Sequence, residues 1–315
     1  MLLHALAAFW RGSLGSEYAI VSATLVRATP LLLTGLAVAI AFRAGVFNIG
    51  ADGQFLAGAT AAATIGWLGS TWTGLAPSVV GIPLALIAGA LFGAAWAGVA
   101  AWLRRRFGVL EVISTLMLNF IALEGVGYLV RGPLQESSHT YPQTAELSSA
   151  WHLPRLVPGS RLHLGFALAI AAALVASWVL RTTAGGFRAR AVGANPRAAA
   201  SAGRIDVASV ATRVLVVSGA LAGAAGAVEV TGVTFSLYEN ISPGYGYTAI
   251  AVALLAGLRP TLVIATSILF GALESGAAGM QRDAGVPAVV ATLVEAAIVL
   301  AVLGVGYWRK KGVRS

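Results

Sequence analysis

Residues 47–54, Phe-Asn-Ile-Gly-Ala-Asp-Gly-Gln, place three polar side chains and two glycines within an otherwise apolar region. Asn48 is suited to accept hydrogen bonds from free backbone N–H groups, and the charge of Asp52 suits the positive end of a helix dipole. The pattern indicates a broken or capped helix start, a type that lines transport paths near the middle of membranes. Asn48, Asp52 and Gln54 are therefore candidate substrate-path residues. The alternative is simple capping at the inner membrane interface.

A second polar group follows in the segment EVISTLMLNFIALEG, which begins at Glu111. In a helix, Glu111, Ser114 and Thr115 share one face, and Asn119 lies two turns beyond Glu111. A polar side chain deep in a membrane is costly unless it has a partner. We expect Asn119 either to bond a neighbouring helix or to contact a polar substrate as part of the path. We expect Glu111 to be structural or gating.

Three further acids, Glu229, Glu274 and Glu295, lie within apolar stretches. Each is interpreted either as paired with another helix or as in contact with cargo. An ion-coupled secondary carrier would use such acids as proton or cation sites. That class therefore stays open, and uptake driven by an ion gradient without ATP would favour it.

Several kinds of chemistry have no signature in the chain. There is no GxxxxGKS/T phosphate loop, so the chain is not expected to bind ATP in that manner. There is no cysteine, and the four histidines lack HExxH spacing, so no metal site is expected. No GxSxG nucleophile motif is present. We expect no catalytic residue and no cofactor.

The composition requires a membrane environment for the helices that carry these residues. Of 315 residues, 58% are apolar and 10% are charged, whereas soluble domains have about 25% charged residues. This excludes a soluble enzyme and a nucleic-acid-binding protein, and it predicts an all-α polytopic protein in contact with membrane lipid.

Nine apolar stretches are candidate transmembrane helices, one of them broken or re-entrant, although the seventh is short and the second carries Asn48, Asp52 and Gln54. They cover residues 19–42, 48–69, 77–103, 108–130, 162–181, 206–232, 245–258, 260–280 and 286–307. Close helix packing is predicted where small residues recur four apart, at Gly89/Gly93, Gly219/Gly223 and Gly271/Ser275/Gly279.

The basic residues predict the orientation, because cytoplasmic loops collect Lys and Arg. They cluster at 104–106, 181–213 and 309–314. Placing these clusters inside makes the C-terminus cytoplasmic and the loop at 131–161 extracytoplasmic. It also places the N-terminus outside, so either residues 1–18 are translocated or a first helix is missing.

The cytoplasmic segment 185–205 carries its own helix signals. Asn195 and Pro196 suit a helix cap and first position, an alanine-rich run follows, and Gly203 suits a stop. A connection between two spans needs no such helix, so the segment is interpreted as a docking element for a cytoplasmic partner. An arginine-rich loop that only fixes topology would explain the charges but not the helix signals.

Four motifs in order, ATPLLLTGLAVAIAFRAGVFNIGADGQF, EVISTLMLNFIA, AVGANPRAAASAG and SPGYGYTAIAVALLAGLRP, resemble signatures of ABC importer permeases of the simple sugar and nucleoside branch. The resemblance covers the chain from about Arg27 to Arg309. The NIGADGQ variant looks like the nucleoside type, in which Glu more often stands at the position of Asp52. Such permeases usually begin with one more hydrophobic helix, which favours a truncated start here.

The resemblance implies an ABC importer permease fold in one transmembrane domain, residues 1–315, in the bacterial inner membrane. It also implies three partners: a second homologous permease, an ATPase with two nucleotide-binding halves, and an extracytoplasmic solute-binding lipoprotein. The coupling contacts with the ATPase would come from Arg188, Gly193, Asn195, Pro196, Ala199, Ala200 and Gly203.

We therefore expect a non-enzymatic permease subunit that moves nucleosides inward at the expense of ATP hydrolysed on a separate chain. A ribose-type or galactose-type sugar permease is the alternative within the class. A non-transporting membrane scaffold would show no solute flux, and it explains the broken-helix motif poorly.

Overall fold

A computed structural model describes residues 2–69 and 77–287, together with scattered positions from 289 to 300. The described residues form helices and no strands, apart from two isolated bridges. The α-helices are α1 (Leu2–Ser13), α2 (Leu25–Arg43), α3 (Ala51–Leu68), α4 (Ile82–Phe107), α5 (Glu111–Arg131), α6 (Leu164–Thr182), α7 (Ala184–Ala194), α8 (Pro196–Gly203), α9 (Val207–Glu229), α10 (Tyr245–Leu255) and α11 (Pro260–Ala284). Three π-helical turns, Ala19–Thr24, Pro77–Gly81 and Val230–Thr234, extend α2, α4 and α9.

Six helical segments of the described chain are long and apolar enough to cross a membrane. They are Ala19–Arg43, Ser78–Phe107, Glu111–Arg131, Leu164–Thr182, Val207–Thr234 and Pro260–Ala284. An all-helical, multi-pass architecture is thus confirmed, while the count of nine spans stays a prediction. Helices α3 and α10 occupy two further predicted spans, but α3 carries Asp52 and Gln54 in its first turns and α10 has only 11 residues. The ninth span, 286–307, falls largely outside the described residues.

The centre of the bundle is a glycine-lined crossing of α3, α4 and α9. A Cβ atom on Gly223 would overlap the carbonyl oxygen of Gly89, and one on Gly93 would overlap that of Gly219. On α3, Gly58 lies against Gly223 just as closely. The predicted small-residue motifs of α4 and α9 therefore pack against each other, and α3 joins them at the same level.

Helix α1 was not predicted as a separate element. It packs antiparallel along the C-terminal part of α11, where Gly12 lies against Gly279 and the Phe9 ring covers Gly276. Its last residue is held by Thr24, whose hydroxyl donates to the carbonyl oxygen of Ser13 at 2.8 Å. The third small-residue motif, Gly271/Ser275/Gly279 on α11, thus packs against both α1 and the first turns of the α2 segment.

The two ends of the bundle differ in character. At one end, here called the basic end, Arg43, Arg181, Arg190 and Arg259 line a common pocket. At the other, called the loop end, residues 132–163 cover the helix termini. This agrees with the charge clusters lying on one side of a membrane, although the cluster at 309–314 falls outside the described residues.

The loop at the loop end is tied to the segment that follows α9. Backbone N–H groups of Thr144, Leu147 and Leu153 donate to carbonyl oxygens of Leu237, Phe235 and Thr231, each at 2.8 Å. The Trp151 side chain is 1% exposed and lies against Gly69 and Gly81, next to the ends of α3 and α4. The loop is therefore a packed part of the protein.

Candidate functional site

The chain stops being helical between α2 and α3, and it resumes deep inside the bundle. After Arg43, residues 44–50 form a turn and an extended stretch, and α3 begins at Ala51 with Gly50 as its N-cap. The side chain of Asn48, next to this start, contacts Ser218, which lies 11 residues into α9. At 1.5 Å per residue, that is about 16 Å from the basic end. Helix α3 therefore starts near the middle of the bundle.

Asn48 and Gln54 bond each other across the start of α3. The Asn48 Nδ2 donates to Gln54 Oε1 at 2.8 Å and to Ser218 Oγ at 2.8 Å. The Asn48 Oδ1 accepts from Gln54 Nε2 and from the Gly50 N–H, both at 2.9 Å. Asn48 is 0% and Gln54 1% exposed. Asn48 therefore accepts a backbone N–H, as predicted, but Gly50 and not Asn48 is the cap residue.

Asn119 joins α5 to the same helix start. Its Oδ1 accepts from the Gly53 N–H at 2.8 Å, and its Nδ2 donates to the Ile49 carbonyl oxygen at 2.9 Å. The Nδ2 also lies 3.2 Å from the Tyr247 hydroxyl. This approach requires a glycine, because a Cβ on Gly53 would be 2.9 Å from the Asn119 Cα. Asn119 therefore does bond neighbouring elements, the first of its two predicted roles.

Asp52 connects α3 to the start of α10. Its Oδ1 accepts from the Ser242 hydroxyl at 2.7 Å and from the Gly246 N–H at 3.0 Å. Asp52 lies in the first turn of α3, and Gly246 lies in the first turn of α10. One carboxylate therefore faces the positive ends of two helices, an arrangement that stabilises negative charge.

The structure thus brings Asn48, Asp52, Gln54 and Asn119 into one cluster, here called the α3 junction, which links α3 to α5, α9 and α10. Sequence reasoning did not identify the other members of the junction. They are Ser218, Ser242, Gly246 and Tyr247. The segment SPGYGY, residues 242–247, did carry a signal, since glycines beside a serine at a helix start are typical of a close backbone approach.

Glu111 lies apart from the α3 junction, at the basic end. Its carboxylate is 2.9 Å from Arg104 Nη1, and this ion pair connects the end of α4 to the start of α5. The Arg104 side chain is 40% exposed, so solvent weakens the attraction. The contact fits the structural reading of Glu111.

The predicted docking segment forms two helices instead of one. Helix α8 follows the prediction: Asn195 caps it by accepting from the Ala198 N–H at 3.0 Å, and it ends at Gly203. Helix α7 precedes it, and Gly193 of α7 lies directly against the carbonyl oxygen of Arg43. Helix α7 therefore fixes α8 to the end of α2.

Most of the predicted coupling residues are exposed at the basic end. They are Arg188, Gly193, Asn195, Pro196, Ala200 and Gly203. Ala199 is the exception, because it is 7% exposed and faces inward. Close to this surface, Phe187 is also well exposed. The α7–α8 unit therefore presents a rigid face with apolar and cationic groups.

A face of α5 also presents polar groups where a membrane helix would normally meet lipid. Glu124 and Tyr128 are exposed on it, and they line a cavity of about 520 Å³ with Arg131, Glu239 and Asn240. Arg131 Nε and Glu239 Oε1 form an ion pair at 2.7 Å. A charged side chain facing lipid is costly, so this α5 cavity is suited to water or to another protein.

Residues 20–303 match the family described as branched-chain amino acid transport system / permease component. The chain belongs to this family. The permease is 39% identical to the guanosine ABC transporter permease protein NupP of Bacillus subtilis, over 97% of its own length and 88% of the relative. It is 35% identical to the nucleoside ABC transporter permease protein NupB of Lactococcus lactis subsp. cremoris, over 91% and 79% of the two chains.

A sugar-related protein is similar as well. The permease is 38% identical to the glucose ABC transporter permease protein TsgB13 of Haloferax volcanii, over 88% of its own length and 74% of the relative. No solved structure matches the chain. The chain is therefore a multi-pass membrane permease of the nucleoside and sugar type of ABC transporter, a transport component and not an enzyme.

Proposed function

We propose that this permease moves nucleosides inward across the bacterial inner membrane, driven by ATP hydrolysis on a separate subunit. Its partners in the proposal are an ATPase with two nucleotide-binding halves, a second homologous permease and an extracytoplasmic solute-binding lipoprotein. Residues 1–315 form one transmembrane domain, with the C-terminus and residues 185–205 cytoplasmic and the loop at 131–161 extracytoplasmic. The similarity to the guanosine and nucleoside permeases supports the nucleoside as cargo.

The observation that carries the proposal is the α7–α8 unit. A connection between two membrane helices does not need a capped helix, yet α8 is capped at its start and fixed through α7 to the end of α2. A rigid, exposed element of this kind transmits a displacement, whereas a flexible loop absorbs it. The ATPase docks on the face formed by Arg188, Asn195, Pro196 and Ala200, with Gly193, Ala199 and Gly203 holding the unit in shape.

The cargo path in the proposal follows α5 beside the α3 junction. The second permease covers the exposed α5 face, since Glu124 and Tyr128 would otherwise meet lipid. Asn119 and Asp52 lie where α5 and α10 approach this path, and Tyr247, which contacts Asn119, is partly exposed. Asn48 and Gln54 support the path without contacting cargo, because their amide groups bond each other and Ser218.

The decisive experiment is uptake by the complete transporter in proteoliposomes, with labelled guanosine, ribose and glucose offered separately. We expect ATP-dependent uptake of the nucleoside. Substituting Ala200→Asp should abolish uptake and the ATPase stimulation by loaded binding protein, because a carboxylate on this exposed face would be desolvated at the ATPase interface and oppose docking. Ala145→Asp, the same change at an exposed position of the loop at 131–161, is the matched control and should transport normally. Full uptake by the Ala200→Asp transporter would disprove the docking assignment.

The similarity to the glucose permease makes a simple sugar the second candidate cargo. The cognate binding protein separates the two cargo classes. Retention of glucose or ribose, with no retention of nucleosides, would replace the nucleoside by a sugar and leave the ATP-driven mechanism intact. Uptake that follows an ion gradient without ATP would overturn both.

A further inference from the structure

A second cavity, of about 440 Å³, lies toward the loop end between α2, α9, α11 and residues 238–245. Its polar lining includes Arg27, Arg161, Glu229, Asn240 and Ser275, and we refer to it as the Glu229 cavity. Its volume is within the range of about 300–1,000 Å³ that small-molecule sites occupy. None of its residues belongs to the α3 junction or to the α7–α8 unit.

The Glu229 carboxylate has no partner among the residues that the structure describes. Glu229 is 5% exposed, and its side chain forms neither a hydrogen bond nor an ion pair within 4.0 Å there. The charge of Glu274 repels the carboxylate, and the charges of Arg161 and Arg27 attract it from beyond contact distance. The hydroxyl of Ser275, 3% exposed, likewise has no hydrogen-bond partner. Unpartnered groups of this kind are costly when buried. They indicate a site that a ligand completes.

The lining restricts the chemistry of that ligand. When it is ionised, a carboxylate only accepts hydrogen bonds, and a guanidinium only donates them. The ligand must therefore offer N–H or O–H donors to Glu229 and acceptor atoms to Arg27 and Arg161. The aromatic residues Tyr238 and Tyr245 also line the cavity. Such side chains favour a planar ring over a saturated sugar.

A nucleobase edge meets these requirements when a carbonyl stands beside neighbouring N–H groups. Arginine is suited to bind the carbonyl and ring nitrogen of such a base, and a carboxylate to accept from its amino group. We propose that the Glu229 cavity binds the base of a nucleoside with adjacent N–H donors, as in guanosine. The inference rests on the proposed function and adds a base-reading site within the permease itself.

The Glu229 cavity is also placed to receive cargo and pass it on. Asn240 lines both this cavity and the α5 cavity, so one residue forms part of the wall between them. Ser242 follows Asn240 by two residues, and its hydroxyl bonds Asp52 of the α3 junction. A base held at Glu229 therefore lies next to the segment that leads to the proposed path.

Direct binding to the purified permease, with the subunits that copurify with it and without the binding protein, tests this site. The probes are guanosine, inosine, which lacks the exocyclic amino group, and ribose. We expect guanosine to bind more tightly than inosine, and ribose not to bind. Glu229→Gln should weaken guanosine binding about tenfold or more and bring it close to that of inosine. Arg161→Gln should weaken both nucleosides.

Glu146→Gln, the same change at an exposed position of the loop, is the control and should leave all affinities unchanged. At the same concentration, guanosine should raise the melting temperature of the wild type and of Glu146→Gln more than that of Glu229→Gln. This second readout does not depend on transport. Unchanged guanosine affinity in Glu229→Gln, or no guanosine binding to the wild type, would overturn the inference. Failure of the complete transporter to take up any nucleoside would instead remove the proposed function.

Discussion

The Asp52 Oδ1 accepts a hydrogen bond from the Gly246 N–H at 3.0 Å, and this contact joins the first turns of two helices that start inside the bundle. Ser242 donates to the same oxygen at 2.7 Å. The relationship makes Asp52 a key residue of the α3 junction, and its effect is measurable.

Asp52→Asn should lower both stability and uptake. The amide keeps the shape of the side chain but removes the charge that two helix starts stabilise, so a loss of about 1–2 kcal/mol in unfolding free energy is expected. Thermal unfolding in detergent and uptake in proteoliposomes measure the two effects. Asp52→Glu retains the charge and should keep more activity than Asp52→Asn. An Asn variant as stable as the wild type would show that the charge does not matter.

Gly223→Ala should disrupt the crossing of α4 and α9. The added methyl group would overlap the carbonyl oxygen of Gly89, and backbone cannot yield without separating the helices. Overpacking of this kind costs about 1–3 kcal/mol. Gly98→Ala on α4 is the matched control, because a Cβ there has no neighbour within 4 Å. Melting temperatures should fall for Gly223→Ala and stay level or rise for Gly98→Ala.

Ala199→Asp and Ala200→Asp should fail for different reasons, although the two residues are adjacent. Ala199 is buried against its surroundings, so a carboxylate there should destabilise α8 itself. Ala200 is exposed, so its variant should fold normally and lose only the ATPase interaction. Limited proteolysis of the α7–α8 unit together with ATPase pull-down distinguishes the two. Equal protease resistance with equal loss of ATPase binding would contradict this assignment.

The ion pair between Arg104 and Glu111 should contribute little to stability. Both groups are at the basic end and Arg104 is partly exposed, so a double-mutant cycle with alanine should give a coupling energy of about 1 kcal/mol or less. If Glu111 also gates transport, Glu111→Gln will change the uptake rate by more than this stability loss explains. Uptake in proportion to the amount of folded protein would restrict Glu111 to a structural role.

His163 should make the loop end sensitive to acid. Burial, assisted by the positive charge of Arg161, lowers the pKa of His163 from 6.5 to about 4. Neither ring nitrogen has a hydrogen-bond partner in the described chain. The unfolded chain therefore takes up a proton below about pH 6.5 and the folded chain only near pH 4, so stability falls as the pH decreases through this window. The full effect is roughly 3 kcal/mol.

Melting temperatures measured from pH 7.5 to pH 4 in the wild type and in His163→Leu test this expectation. Leucine has a similar volume and no proton to bind, so the variant should lose less stability on acidification. His139→Leu, a change of an exposed histidine in the same loop, should leave the pH profile as in the wild type. Identical profiles for wild type and His163→Leu would assign the acid sensitivity to other groups.

Local patterns in the sequence predicted most of the helices and the α8 cap, because these depend on residues close together in the chain. Asn195 and Pro196 indicated the start of α8 through capping chemistry alone, and the structure has that start. The glycine pairs of α4 and α9 likewise predicted close packing without naming the partner helix. Hydropathy also separated the apolar helices from the loops with little error at their ends.

The contacts of the α3 junction were not predictable in the same way. Asn48 meets Ser218, which is 170 residues away, and Asp52 meets Ser242, which is 190 residues away. A single sequence contains no signal for which distant elements become neighbours. Helix α1 escaped prediction for another reason: with 12 residues it is too short to be a span, and only its packing on α11 identifies it as part of the bundle.

Gly193 touches the carbonyl oxygen of Arg43, and the peptide that leads into the membrane interior begins at the next residue. Gly193 has no side chain, so this is a contact between two backbone segments and no side-chain rotation can relieve it. We therefore expect a displacement of α7 to be passed to residues 44–50, which lead directly to the first turn of α3. In the proposed transporter, one short stretch of backbone would thus connect the cytoplasmic surface to the interior of the membrane.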